Sequence, residues 1–374
     1  MAKITLKNIT KKFGKVTALK DVSLEIQDGE FFVVFGPAGA GKTTLLNIIA
    51  GISDPDSGEI YYDQEAMNFI EPQVRNASMV FENYALYPQK NVYENIASPL
   101  RSKLHKETEE SIDKKVRDVA ATVGLTDYLD RKPVNLSNGQ RQRVALARAL
   151  VRDARVFLLD EPIAHLDAKL RNAMRKELKL IQDKFNTTTV YVTHDFNEAM
   201  SLGDRIAVIR DGEIIQVGTN LEVYFTPKDE FVSKLFGDCE INIIPAEINV
   251  IDGNKKICID WSNINVPVPV DLTQNFKDGQ KVDLGCRTNA ILYSTTPKEG
   301  YSKGKIYTVE PLGNKTELVV SINDQLIRFI VSVNERFNLD DDIYLSINPD
   351  NIIFFDSESK EYIGTHNANK LVEV

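Results

Sequence analysis

The strongest constraint on how this chain folds is a stretch of nine residues, GPAGAGKTT from Gly36 to Thr44, which matches GxxxxGK followed by Ser or Thr. It follows FFVVF, an apolar run that reads as a buried strand, and it leads into KTTLLNIIAG, which has helical character. In that context the glycines let backbone N–H groups wrap phosphate oxygens, while the N-terminus of the next helix faces the same anion. Lys42 supplies a point charge, and the Thr43 hydroxyl suits a Mg²⁺ that bridges phosphate oxygens. Gly36, Pro37, Ala38, Gly39, Ala40, Gly41, Lys42, Thr43 and Thr44 together form a candidate phosphate cradle, and a strand–loop–helix unit of this kind implies an α/β sheet to carry it.

Two further segments place chemistry at strand ends. VFLLDEP carries Asp160 and Glu161 at the close of an apolar run, where α/β proteins bind ligands. Asp160 suits a Mg²⁺ shell; Glu161 suits a group that orients an attacking water or takes its proton. Alone, such a pair is more often a helix cap, and the phosphate loop upstream reverses that reading. His194 follows the strand-like TVYVT and can reach the same sheet edge. LSNGQRQRVALARAL reads as a helix capped by Ser137, with Val144, Leu146, Ala147 and Leu150 facing a core and an N-terminus able to hold an anion. Its Arg141, Arg143 and Arg148 read as helix-surface charge or dimer packing.

Around these segments, Val22, Leu24 and Ile26 alternate onto one strand face, and Asp28-Gly29 turns the chain. Ile112, Val116, Val119, Ala120 and Val123 recur at helical spacing, as do Leu166, Leu170, Met174, Leu178 and Ile181. The runs VFLL, TVYVT and IAVI alternate with those helices, which predicts a largely parallel sheet under helical cover. Asp211-Gly212 predicts a hairpin, and the alternation then stops, placing a boundary near 236. Beyond it KICID, INVPVPV, KVDLGC, GKIYTVE, TELVVSI, LIRFIVSV, DIYLSI and NIIFF predict a small β-barrel or sandwich.

With a net charge of −9 over 374 residues, broad binding to nucleic-acid phosphates or anionic lipid is disfavoured. The 3 cysteines, Cys239, Cys258 and Cys286, form no CxxC pair and fit a reducing compartment. No apolar run approaches the roughly 18 residues that span a bilayer, so service to a membrane would be that of a peripheral subunit.

The order of these segments resembles the ATP-binding cassette family, and more narrowly the ATPase subunits of carbohydrate importers of the maltose-transporter type, over nearly the whole chain. GPAGAGKTT resembles the Walker A loop, LSNGQ the signature, VFLLDEP the Walker B strand, HLDAKLR the D-loop with Asp167, and His194 in VTHD the switch histidine. The resemblance implies two subunits closing head to tail over two ATP molecules, with Ser137, Gly139 and Gln140 of one meeting the nucleotide of the other. It also implies an adenine stacked on Phe13 of KKFGK, and contact between FENYALYPQKNVYENI and the coupling helices of membrane subunits. Importers of this type usually carry glutamine where Glu82 stands, and the added carboxylate is a candidate ligand for Mg²⁺ or water that changes the charge near the γ-phosphate. Ala38, Asn138 and IAHLD are smaller departures. In the C-terminal part, VEPLGNKTELVV resembles a regulatory oligobinding-fold segment, while GCRTNAI departs from the usual pattern at Thr288 and Asn289.

The expected fold is therefore α/β: a P-loop ATP-binding cassette over 1–235, with a helical subdomain at about 86–152, followed by an all-β OB-like regulatory domain (TOBE) over 236–374. The expected function is ATP hydrolysis, with Mg²⁺, by a homodimer or heterodimer on the cytoplasmic face of the membrane. Lys42, Glu161 and His194 carry the chemistry, and Thr43, Asp160 and Glu82 face the metal. It would drive carbohydrate uptake through two permease subunits served by an extracytoplasmic solute-binding protein, with no nucleic acid involved. Polyamine or metal-ion import, and a regulatory subunit with weakened hydrolysis, stay open as alternatives.

Overall fold

The computed structural model describes residues 2–102, 107–164, 166, 168–185, 187–237, 239–259, 265–366 and 368. The chain divides into two compact units, Met1–Asn220 and Leu221–Val374.

In the first unit, β1 (Ile4–Phe13) and β2 (Val16–Ile26) pair antiparallel, and β4 (Ser57–Tyr62) and β5 (Glu65–Ala66) extend that sheet. Val22, Leu24 and Ile26 are buried on one face, as their alternation predicts. A second sheet has the order β10 (Glu213–Gly218), β9 (Arg205–Arg210), β3 (Phe31–Phe35), β8 (Thr189–Thr193), β7 (Val156–Asp160) and β6 (Ala77–Val80). Its pairings are parallel except for the β9–β10 hairpin, which turns at Asp211 (φ 50) and Gly212 (φ 81). Every residue of β3, β7 and β8 is buried, the mark of strands covered on both faces. The chain therefore leaves the C-terminal ends of β3, β7 and β8 at one edge, bringing the phosphate loop, Asp160-Glu161 and His194 together.

The helices in chain order are α1 (Lys42–Ala50), α2 (Pro72–Arg75), α3 (Val92–Ala97), α4 (Glu109–Thr122), α5 (Asn138–Leu150), α6 (Ala168–Phe185) and α7 (Phe196–Leu202). Ile112, Val116, Ala120 and Val123 of the α4 stripe pack with Val92, Ile96, Val144 and Ala147 of α3 and α5 into a cluster of their own. All but Ile181 of the buried residues in that cluster fall between 92 and 151. In α6 the predicted stripe buries Met174, Leu178 and Ile181.

Among the described residues, the second unit is antiparallel and all-β apart from short helices. One sheet runs from Asn265–Pro267 through Asn254–Ile259, Asn242–Ile251, Gln280–Cys286 and Ile352–Asp356 to Tyr362–Thr365. The other runs from Ile291–Ser294 through Asp342–Ile347, Ser302–Pro311 and Lys315–Ile322 to Gln325–Ser332. Leu284, Ile306, Leu318, Phe329 and Phe354 meet in one core between them, the barrel or sandwich the run pattern predicts and consistent with the OB-like domain the resemblance implies. INVPVPV is the exception: the strand stops at Pro267 and Pro269 begins a 3-10 turn, because neither proline has an N–H to give a ladder.

The units divide ahead of the boundary expected near 236. The segment after Asn220 belongs with the β unit: Arg287 donates to the carbonyls of Tyr224 and Phe236, and Lys360 lies 3.6 Å from Glu230. Those partners, Arg287 and Lys360, lie outside the strands and far along the chain.

Candidate active site

Backbone crowding explains the glycines of the phosphate loop. A Cβ on Gly36 would sit 2.3 Å from the Ile209 carbonyl oxygen, and one on Gly41 (φ +106) would sit 2.4 Å from that of Ala18. The turn they permit delivers Lys42 to the start of α1 with its side chain only 5% exposed. Nζ donates to the carbonyl oxygens of Gly36 and Pro37, both at 3.0 Å, and lies 3.7 Å from Glu161 Oε1. Burial lowers the lysine pKa, and the charges of Glu161 and Asp160 oppose that shift. Beside it opens a cleft of about 350 Å³, lined by Val16, Ala18, Gly39, Gly41, Lys42, Thr43, Thr44 and Gly212, within the size range of small-ligand sites.

At the end of β7, Asp160 Oδ1 accepts a hydrogen bond from Thr43 Oγ1 at 3.1 Å. Burial raises the Asp160 pKa and the Glu161 and Glu82 charges add to the rise, against the Thr43 hydrogen bond and Lys42. A carboxylate held in this environment, with a hydroxyl beside it, is a pair of hard oxygen donors that fits Mg²⁺. Among the described residues no three acidic, histidine or cysteine side chains gather into a metal-holding group. Glu82 is thus not assembled with Asp160 and Glu161 into such a group; it stands exposed on the loop before Tyr84, close enough for its charge to bear on Asp160.

Glu161 occupies the left-handed region at φ 44, a conformation that costs a non-glycine residue about 1–3 kcal/mol and persists where the surroundings enforce it. Its N–H donates to the Val192 carbonyl at 3.1 Å, and its Oε2 lies 2.9 Å from His194 Nδ1. The carboxylate accepts from Nδ1–H, which leaves Nε2 as the imidazole nitrogen facing outward. The His194 side chain is 56% exposed.

Ser137 caps α5 as its position predicts, and the cap is reciprocal. Its hydroxyl accepts from the Gln140 N–H at 3.3 Å while Gln140 Oε1 accepts from the Ser137 N–H at 2.9 Å. Ser-x-x-Gln is the sequence signal for that box. Replacing Ser137 by alanine should cost about 1 kcal/mol of stability, read as a lower urea midpoint at unchanged slope. Among the described residues, Ser137, Gly139 and Gln140 do not line the phosphate cleft of their own chain. Phe13 is 54% exposed at the end of β1, with Lys11 Nζ 5.5 Å from its ring centre. Asp167 lies outside the described residues.

Arg148 is no surface charge. It donates to the carbonyls of Tyr84 and Ala85 at 2.8 and 2.7 Å, and burial lowers its pKa. It thereby holds a loop in which both residues have positive φ. No periodicity announces this clamp, because its acceptors are backbone atoms of a distant loop.

A buried lysine at the mouth of a glycine loop, facing an acid–imidazole pair across one sheet edge, defines a P-loop nucleoside triphosphatase as a class. Residues 19–164 match the ABC transporter family. The chain is 51% identical over 332 residues to the trehalose/maltose import ATP-binding protein of Thermococcus litoralis, covering 87% of this chain and 86% of that one. It is 40% identical over 370 residues to the xylose/arabinose import ATP-binding protein of Haloferax volcanii, covering 96% and 95%. A dimeric ATP-binding cassette solved in a post-hydrolysis state with ADP and Pi superimposes with a TM-score of 0.54 at 35% identity, covering 58% of this chain and 98% of that one. This chain belongs to the ATP-binding cassette transporter family and is one of its ATPases.

Proposed function

We propose that this chain is the ATP-hydrolysing subunit of a carbohydrate importer. Two copies close over two MgATP, and closure is passed to two permease subunits that receive sugar from an extracytoplasmic binding protein. The chain works peripherally, at the cytoplasmic face of the membrane. The observation that carries the hydrolytic part is the 2.9 Å Glu161–His194 contact beside Lys42, at the ends of adjacent parallel strands. The sugar class rests on relatives named for trehalose, maltose, xylose and arabinose import. Among the described residues, no helix is long and apolar enough to cross a membrane, which agrees with a pore supplied by partners.

In this reading Gly36 to Thr44 wrap the phosphates, and Lys42 exchanges its loop carbonyls for phosphate oxygens. Phe13 stacks on the base, a contact tolerant of base identity. Thr43 and Asp160 hold Mg²⁺, which neutralises charge on the phosphate oxygens. Glu161 orients the attacking water and takes its proton, while His194 Nε2 faces the terminal phosphate and its Nδ1 keeps the Glu161 carboxylate in place. Ser137, Gly139 and Gln140 approach the γ-phosphate from the second subunit, presenting the N-terminus of α5 to it. The groove of about 410 Å³ lined by Phe81, Ala85, Tyr87, Ser98, Pro99 and Arg148 is where the permeases seat.

Co-purification tests the assignment. The tagged chain should bring down two hydrophobic permeases, and in liposomes sugar-loaded binding protein should stimulate phosphate release. Recovery of no permease, or stimulation by a polyamine or metal-ion binding protein in place of a sugar one, would overturn it. Glu82→Gln removes a carboxylate whose charge disfavours an ionised Asp160, so phosphate release should rise by about fivefold or less, the scale of an exposed charge. An unchanged rate would show that this departure from the usual glutamine is neutral.

A further inference from the structure

Behind the Glu161–His194 pair lies a polar network that the hydrolytic reading leaves unused. Arg171, in the first turn of α6, donates from Nη2 to the carbonyls of Ala164 (3.3 Å) and Leu166 (3.2 Å). These carbonyls belong to the loop that begins at Glu161, and that loop is wound onto Glu161 by its own turn, the Ala164 N–H donating to the Glu161 carbonyl at 3.3 Å. From Nη1 the same guanidinium donates to Asp195 Oδ2 at 3.2 Å, on the residue after His194. One planar fork therefore bridges the backbone that carries Glu161 and the backbone that carries His194.

The His194 side of the bridge is anchored firmly. Asp195 caps α7, its Oδ1 accepting from the Glu198 N–H at 3.1 Å, and its own N–H donates to Thr193 Oγ1 at 3.0 Å. Glu198 is 2% exposed and accepts from Thr193 at 2.6 Å and Tyr191 at 2.8 Å; burial raises its pKa. All three bonds of the fork, to Ala164, Leu166 and Asp195, lie between 3.2 and 3.3 Å, at the long end of the hydrogen-bond range. Arg171 Nε and Glu198 Oε1 face each other at 3.9 Å, and each is a buried atom without a hydrogen-bond partner. A buried unsatisfied donor opposite a buried unsatisfied acceptor calls for an explanation. Here a shift of about 1 Å would bring Nε–H within hydrogen-bond reach of Glu198, which backs the fork on the side away from the loop carbonyls held by Nη2.

We propose that Arg171 is a positioning residue for ATP hydrolysis: by spanning the carbonyls of Ala164 and Leu166 and the Asp195 carboxylate, it sets the separation of Glu161 from His194. Arg171 touches neither nucleotide nor water in this role. A lysine cannot replace it, because a single ammonium cannot serve two carbonyls and a carboxylate with the geometry of a planar fork. The inference rests on the reading of Glu161 and His194 as the hydrolytic pair, and its test separates the two.

The full chain is prepared with ¹⁵N-labelled histidine, and the His194 ring signal is assigned from the spectrum of His194→Gln. In the unsubstituted protein the Nδ1–H signal reports the contact with Glu161 and should shift in Glu161→Gln. Arg171→Met should broaden or move that signal in the same direction without nucleotide present. It should also lower kcat about 10- to 100-fold, the cost of a misplaced reacting group, with KM held within about twofold. Arg171→Lys should recover only part of both, and it carries the test alone if the methionine variant does not fold. A His194 signal and kcat like those of the unsubstituted chain in Arg171→Met overturn the proposal. So does a fall in kcat matched by a lower melting temperature and a raised KM with the His194 signal unmoved, which marks a residue that only supports the fold. If the unsubstituted chain hydrolyses no ATP while the signal still answers to Arg171, the hydrolytic reading fails and the bridge stands as structure alone.

Discussion

Glu161→Gln is expected to lower kcat for ATP hydrolysis by about 10²–10⁴-fold, the usual contribution of a positioned proton acceptor, while leaving nucleotide affinity nearly unchanged. The side chains are nearly isosteric, so the strained backbone at φ 44 and the hydrogen bond from the Glu161 N–H to Val192 persist. What is lost is the charge facing Lys42 at 3.7 Å and the acceptor facing His194 Nδ1 at 2.9 Å. Glutamine still presents an oxygen to Nδ1–H, but it takes no proton from water. The same loss removes one negative charge from a cleft meant for a triphosphate, so the bound state should be held as firmly or more so. Single-turnover phosphate release and fluorescent-nucleotide titration measure the two effects separately. With hydrolysis blocked, MgATP should also convert the variant to a dimer visible by light scattering. A kcat within about tenfold of the unsubstituted chain would remove Glu161 from the chemical step.

The residues of this site were legible in the sequence because each lies next to the element that places it. FFVVF predicts a buried strand, Gly36 to Thr44 can only turn off its end, and the run TVYVT delivers His194 to the same edge once the sheet is parallel. Ser137 was legible for the same reason: a cap and its helix are contiguous. Arg148 and Arg171 were not. Both sit on helices where an arginine is ordinarily solvated, and backbone carbonyls occupy much of each: those of Tyr84 and Ala85, brought near by tertiary packing, for one, and those of Ala164 and Leu166, in the preceding loop, beside the Asp195 carboxylate for the other. Carbonyls carry no residue-type signal, so neither composition nor spacing can reveal such partners. The division after Asn220 was not legible either. Helical segments look alike whichever unit they pack on, and contacts such as those of Glu230 with Lys360 and of Arg287 with the Tyr224 and Phe236 carbonyls assign these to the β unit.

Lys42→Met should affect binding where Glu161→Gln affects chemistry. Methionine matches lysine in length and flexibility, so the packing around a side chain that is 5% exposed is largely kept. The charge is not. In the free protein the carbonyls of Gly36 and Pro37 lose their donor, and Glu161 loses the cation 3.7 Å away. In the nucleotide complex the phosphates lose a buried cation. Breaking a buried charge pair from one side costs about 3–5 kcal/mol, which converts to about 10²- to 4 × 10³-fold weaker MgATP binding. Part of that cost also falls on the free state, so the melting temperature should drop and the observed affinity loss should lie toward the lower end. Lys42→Arg should rescue little: a planar fork cannot fit between two carbonyls of a tight turn, where a compact ammonium can. Affinity within about threefold of the unsubstituted chain would show that the backbone N–H groups of the loop hold the phosphates without it. The contrast between the two variants is the sharper test, because a cleft that binds through Lys42 and reacts through Glu161 predicts opposite patterns: lost affinity in one, retained affinity with lost turnover in the other.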